Sequence, residues 1–105
     1  MNGYKNISAA ELQPLLAAGK VKLFDVRTEA EVARGFIKGA QMLPLHLLPM
    51  RWQDLDANAP TVFYCQMGGR SAQAAAFAAN QGMKDVYNLQ GGIAAWAQSG
   101  GEIAA

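Results

Sequence analysis

The chain contains a single cysteine and a single histidine. Cys65 has no partner for an internal disulfide, and no second cysteine stands at metal-ligand spacing, so neither a covalent staple nor a zinc site is expected. Charge is also scarce. Nine Lys and Arg against eight Asp and Glu leave a net charge of +1, scattered without the basic stripe a phosphate backbone demands, and no nucleic-acid partner is expected. The longest unbroken apolar run, Ala74 to Ala79, is far short of the ~20 residues that span a membrane. The opening "MNGYKNIS" lacks the basic and apolar segments of a leader. These absences predict a cytoplasmic protein with no membrane partner.

What is present suits an ordinary globule. Half the residues are apolar, and 105 residues can bury one core but not two, so residues 1–105 are read as a single domain. No repeat, linker or low-complexity segment interrupts it. Ser8 with Glu11 has capping-box spacing for a first helix to Ala18, after an extended lead-in at Tyr4 to Ile7. Val21 to Val26 reads as a strand, and Thr28 with Glu31 repeats the capping box for a short helix ending near Gly35. Ala40 to Leu43 predicts the next strand, and Trp52 and Leu55 a short helical piece over the core. Thr61 to Tyr64 reads as a strand buried on both faces, followed by a helix from Arg70 to Gln81. Ala72, Ala75, Ala76 and Ala79 fall at helical spacing and predict that helix's close-packing face. A strand at Asp85 to Leu89 and a helix at Ile93 to Gln98 complete the chain, with Ile93 and Trp96 as core. Alternating strands and helices with short connections imply an α/β fold with a parallel sheet.

Cys65 directly follows a buried strand, and ligands gather at the carboxyl ends of strands in parallel sheets. The next residues, "QMGGRS", supply glycines whose backbone can take positive φ and turn N–H groups into an anion-binding nest at a helix N-terminus. Such a setting lowers a cysteine pKa from ~8.5 into the range of roughly 3.5 to 7.5, producing a nucleophile at neutral pH. A free cysteine is otherwise a small buried hydrophobe. The glycine-rich loop and Arg70 favour the nucleophile. Arg70 can bind an anionic substrate or fasten the loop, its plain alternative being a solvated first-turn residue; Ser71 reads as a helix cap. Asp25 and Arg27, at another strand end, are candidate supports, with a structural ion pair as the leading reading.

Three ordered stretches, "LFDVRTEAEVARGFIKGA" at 23–40, "VFYCQMGGRSAQAA" at 62–75 and "DVYNLQGGIAAW" at 85–96, resemble the signatures of the rhodanese domain over nearly the whole chain. The resemblance implies a five-stranded, mainly parallel sheet with helices on both faces. It also implies a sulfurtransferase of the thiosulfate sulfurtransferase type, in which Cys65 accepts a sulfane sulfur and becomes a persulfide. The loop Gln66, Met67, Gly68, Gly69, Arg70 and Ser71 would hold that persulfide. The donor would be thiosulfate or a sulfur carrier, and the acceptor a thiol, a protein sulfur carrier or cyanide; no metal or organic cofactor is implied.

The chain departs from the family pattern at Phe36 and Lys38, where His and Pro are usual, which bears on the local turn. Gln66 and Met67 are uncharged where many thiosulfate-using relatives carry a basic residue, which favours a persulfide donor over thiosulfate. Three other readings compete. A phosphatase on this fold would have five residues between Cys and Arg, whereas four stand here. A non-catalytic module typically lacks the cysteine. A cysteine hydrolase would need His46 as base, in a segment that reads as surface or packing.

Overall fold

The computed structural model describes residues 3–105. A strand, β1 (Lys5–Ile7), leads into α1 (Ala9–Ala17). The Ser8 hydroxyl accepts from Glu11 N at 3.1 Å and the Glu11 carboxylate accepts from Ser8 N at 2.9 Å, so the reciprocal cap starts the helix at the predicted place. Thr28 and Glu31 do the same for α2 (Glu29–Val32), after β2 (Lys22–Asp25). Two short strands follow, β3 (Phe36–Ile37) and β4 (Gln41–Met42). The stretch around Trp52 is α3 (Leu48–Arg51) between single 3-10 turns at Leu45–Leu47 and Trp52–Asp54. The chain then runs through β5 (Thr61–Tyr64), α4 (Gly69–Asn80), β6 (Val86–Leu89), α5 (Gly92–Gln98) and β7 (Ile103–Ala104).

Five strands form one parallel sheet in the order β1-β6-β5-β2-β4. Asp25 lies opposite Tyr64 and Phe63 opposite Asn88, so the carboxyl ends of β2, β5 and β6 line up at one edge. From β2 the chain moves outward to β4, then returns to β5 on the other side and on to β6. The connections leaving β2 and β5 therefore diverge and leave a crevice above their ends. Side-chain alternation decides what enters it. Val62 and Tyr64 pack toward α1 and α5 with Leu12, Ile93 and Trp96, while Phe63 and Cys65 face the α3 and α4 side with Phe24, Leu48, Ala75 and Ala78. Cys65 is thus delivered to the N-terminus of α4.

One expectation needs correction, and one element was not foreseen. The buried face of α4 is Ser71, Ala74, Ala75 and Ala78, whereas Ala72, Ala76 and Ala79 are only partly buried. Alanines occupy both neighbouring stripes, so spacing alone could not choose the phase; inward-facing Ser71 sets it. Phe36 and Ile37 form a strand that pairs antiparallel with Ile103 and Ala104, a ribbon not anticipated from the sequence. Lys38 N donates to Glu102 O at 3.3 Å in that ribbon, a bond that a proline at this position could not make. No helix among the described residues is long and apolar enough to cross a membrane.

Gly92, at φ 62°, brings the start of α5 against the end of β5, and a Cβ there would collide with the carbonyl oxygens of Cys65 and Gln66. Gly92→Ala should lower unfolding stability by about 2 kcal/mol or more, through combined steric and left-handed strain. Urea unfolding at neutral pH checks this.

Candidate active site

The four residues between Cys65 and Arg70 turn the chain from β5 onto α4. Gly68 adopts φ 110°, in the left-handed region, and its N–H turns back to Cys65 Sγ at 3.1 Å. Ser71 N approaches the same sulfur at 3.4 Å, and Ser71 Oγ lies 3.3 Å from it. These groups surround the sulfur at the positive end of the α4 dipole. Cys65 is only 2% exposed. Burial pushes the thiol pKa up, but the hydrogen bonds from Ser71 and from the Gly68 and Met67 backbone prevail, leaving it below the ordinary thiol value.

The two loop glycines are not equivalent. Gly69 has no positive φ, and an added Cβ there would meet nothing; only Gly68 uses the freedom that the sequence suggested for both. Ser71 is not a cap either. Gly68 occupies the N-cap position, and Ser71 is buried on the sheet side with its Oγ 2.6 Å from Asn88 Oδ1. The helix turns Ser71 inward because it lies two residues past the helix start, on the same stripe as Ala74, Ala75 and Ala78.

Arg70 fastens the loop to α2. Its Nη1 and Nη2 donate to Glu31 Oε1 and Oε2 at 2.7 and 2.8 Å, a bidentate pair made through both terminal nitrogens. Arg70 holds the Glu31 carboxyl down at about 2. Glu31 also accepts from Thr28 N, so one side chain completes the α2 cap and anchors α4.

Asp25 and Arg27 form a buried ion pair, with Arg27 Nη2 2.7 Å from Asp25 Oδ2 and Nε 3.0 Å from Oδ1. Nη2 also donates to Gly35 O at 2.7 Å, and the remaining arm, Nη1, reaches Gln66 Oε1 at 3.4 Å. The pair therefore meets the loop through Gln66, and the structural ion pair expected of these residues is present. Met67, at the loop tip, is 68% exposed. His46 is exposed in the 3-10 turn and lines a groove of about 300 Å³ with Leu45, Pro44 and Arg70. The hydrogen bonds to Cys65 Sγ come from Gly68 and Ser71, with none from His46. A second groove, of about 570 Å³, opens on the Gln66 side between Arg27, Glu31, Arg34 and Ile93.

Three residues of this neighbourhood were not singled out from the sequence. Glu31 was read only as a cap. Asn88 was passed over as part of a strand, although a polar side chain in a run otherwise bound for the core was a usable signal. Gly92 was read only as a lead into the last helix, although paired glycines before a helix suggest close backbone approach.

The sequence and the fold have counterparts among known proteins. The rhodanese-like domain family matches residues 8–99. The chain belongs to the rhodanese-like domain family. A sulfurtransferase of Allochromatium vinosum is 45% identical over 93 residues, covering 89% of this chain and 87% of that protein. The human thiosulfate:glutathione sulfurtransferase is 37% identical over 110 residues, covering 91% and 96%. The crystal structure of a rhodanese-related protein from Thermoplasma volcanium superposes with a TM-score of 0.87 at 29% identity, covering 96% of this chain and 98% of that one. The expected rhodanese-like α/β fold is observed, and this rhodanese-like chain is a sulfurtransferase with one buried cysteine.

The Glu31–Arg70 pair has a defined pH signature. A carboxylate whose folded pKa is depressed contributes stability that is full above its ordinary value of 4.5 and is lost as pH falls toward about 2. Because the pair is about one-third exposed, its contribution is on the order of 1 kcal/mol. Glu31→Gln should therefore be about that much less stable at neutral pH, with the gap to the native protein closing between those two values. Urea unfolding as a function of pH measures it.

Proposed function

We propose that this rhodanese-like sulfurtransferase carries sulfur on Cys65 as a persulfide. The observation that supports this most strongly is the cradle at the start of α4, where the Gly68 and Ser71 N–H groups meet Sγ and the thiol pKa lies below its ordinary value. In the first half-reaction the Cys65 thiolate attacks the outer sulfur of a sulfane donor. With thiosulfate, the S–S bond of the donor breaks, its electron pair leaves with sulfite, and Cys65 retains the sulfur as a persulfide anion. In the second, an acceptor thiolate or cyanide attacks the terminal sulfur, the new S–S bond breaks, and the electron pair returns to Cys65 as thiolate. A thiol whose pKa is lowered reaches the thiolate without a dedicated general base, which fits a site in which His46 makes no hydrogen bond to the sulfur.

The electrostatics favour a donor of low charge. Arg70 is neutralised by Glu31 and Arg27 by Asp25, and Gln66 and Met67 add no cation to the loop. A dianion such as thiosulfate meets no unpaired guanidinium among these residues, whereas a persulfide donor needs none. Thiosulfate is named for the human relative and is the reference donor here; a small organic persulfide is the preferred one. The two grooves beside the loop have room for a small thiol or the extended end of a carrier chain.

Cys65→Ser should abolish release of thiocyanate from either donor with cyanide as acceptor. Met67→Lys adds a cation at the exposed loop tip and should raise kcat/KM for thiosulfate by about tenfold, roughly 1.4 kcal/mol. The gain should shrink with added salt, with little change for an uncharged persulfide donor. An active Cys65→Ser protein would refute the persulfide, and a Met67→Lys protein unchanged toward thiosulfate would refute the charge argument.

A further inference from the structure

Asn88 stands on β6 opposite Phe63 and Asn6, and its side chain is buried on the α4 side of the sheet. Its Nδ2 lies 3.3 Å from Gly68 O and 3.4 Å from Asn6 Oδ1, and its Oδ1 lies 2.6 Å from Ser71 Oγ. A backbone carbonyl oxygen can only accept, so the amide must present its NH2 group to Gly68. Turning the amide over would set two oxygens 3.3 Å apart with no hydrogen between them. The amide oxygen therefore faces Ser71, and because it too can only accept, the 2.6 Å contact takes the one proton the Ser71 hydroxyl owns.

The 3.3 Å contact between Ser71 Oγ and Cys65 Sγ is then left without a hydroxyl proton. Only the thiol S–H can fill it. We infer that Asn88 is a positioning residue that holds the Ser71 hydroxyl proton away from Cys65, so that Ser71 accepts from the resting thiol while backbone N–H groups alone hold the thiolate. A hydroxyl proton on the sulfur would lower the thiol pKa, but this one is held by Asn88, so the lowering falls to the backbone N–H groups of Ser71, Gly68 and Met67 and the hydroxyl itself opposes ionisation. The same amide braces Gly68 O, so one side chain both fixes the loop and sets the direction of the hydroxyl bond.

This rests on Cys65 being the nucleophile of the proposed reaction, but its test needs no sulfur transfer. The Cys65 pKa would be read from the pH dependence of iodoacetamide alkylation in the native protein, Ser71→Ala, Asn88→Val and the double variant. The neighbouring charges, Arg70 with Glu31 and Arg27 with Asp25, are common to all four and cancel in the comparison. With Asn88 present, Ser71→Ala should leave the pKa unchanged or lower it, because only an acceptor for the thiol is lost. With Val at position 88 the hydroxyl is free to turn to the thiolate, so removing Ser71 in that background should raise the pKa by about one unit. An equal effect of Ser71→Ala in both backgrounds, whether a rise or none, overturns the inference. Should Asn88→Val fail to fold, the single variant decides: a rise of about one unit in Ser71→Ala overturns the inference, and an unchanged or lower value supports it. Because alkylation needs only a reactive thiol, these results are independent of whether the protein transfers sulfur.

Discussion

The orientation of the peptide planes between Cys65 and Gly68 is the constraint on which the rest of the site depends. Ile93 N donates to Cys65 O at 2.9 Å and Ala94 N to Gln66 O at 3.2 Å, so α5 holds both carbonyls on its side of the loop. In a planar trans peptide the N–H points opposite to the C=O, so the Met67 N–H is turned away from α5, and it is among the backbone groups that lower the thiol pKa. The bonds that satisfy the open end of α5 are therefore the same ones that aim loop donors at Cys65. Gly92 permits the close approach, and Gly68 provides the left-handed step that carries the chain on into α4. A sulfur anion is stabilised here by backbone geometry, which a side-chain substitution elsewhere cannot easily supply.

Around this cradle the charged groups are arranged in closed pairs. Asp25 with Arg27 is buried beneath the loop and reaches it through Gln66, and Glu31 with Arg70 spans from α2 to the first turn of α4. Both pairs join the segment after β2 to the segment after β5, the two connections that diverge above the sheet. Their role is to hold these segments in register, and they leave the loop near neutrality. The loop's donors are accordingly directed at one buried atom, Cys65 Sγ, while exposed Arg34 lines the groove on the Gln66 side.

Much of this was legible in the sequence because it is locally encoded. Ser8 with Glu11 and Thr28 with Glu31 specify helix starts within four residues, and Thr61 to Tyr64 bears the composition of a strand buried on both faces. The position of Cys65 at the end of that strand, before a glycine turn, was enough to single out the thiol as the candidate nucleophile. What was missed is non-local. The pairing of Phe36 and Ile37 with Ile103 and Ala104 joins distant segments through two residues each, with no periodicity to reveal it. The phase of α4 was hidden because alanine occupies adjacent stripes, and only the inward Ser71 resolves it. Glu31 carried a local signal so complete as a cap that its second partner, Arg70, left no trace in the spacing. Gly68 and Gly69 look alike in sequence, and only the folded path shows which one needs the left-handed backbone.

With the Gly68 turn holding its sulfur, Cys65 is the proposed carrier of one sulfur atom. The direct measurement is the intact mass of the reduced protein after exposure to thiosulfate or to a small organic persulfide, with Cys65→Ser treated in parallel. The native protein should gain the mass of one sulfur atom, removed by cyanide or a reducing thiol and absent from Cys65→Ser. No gain with either donor, or an equal gain in Cys65→Ser, would contradict that role for Cys65.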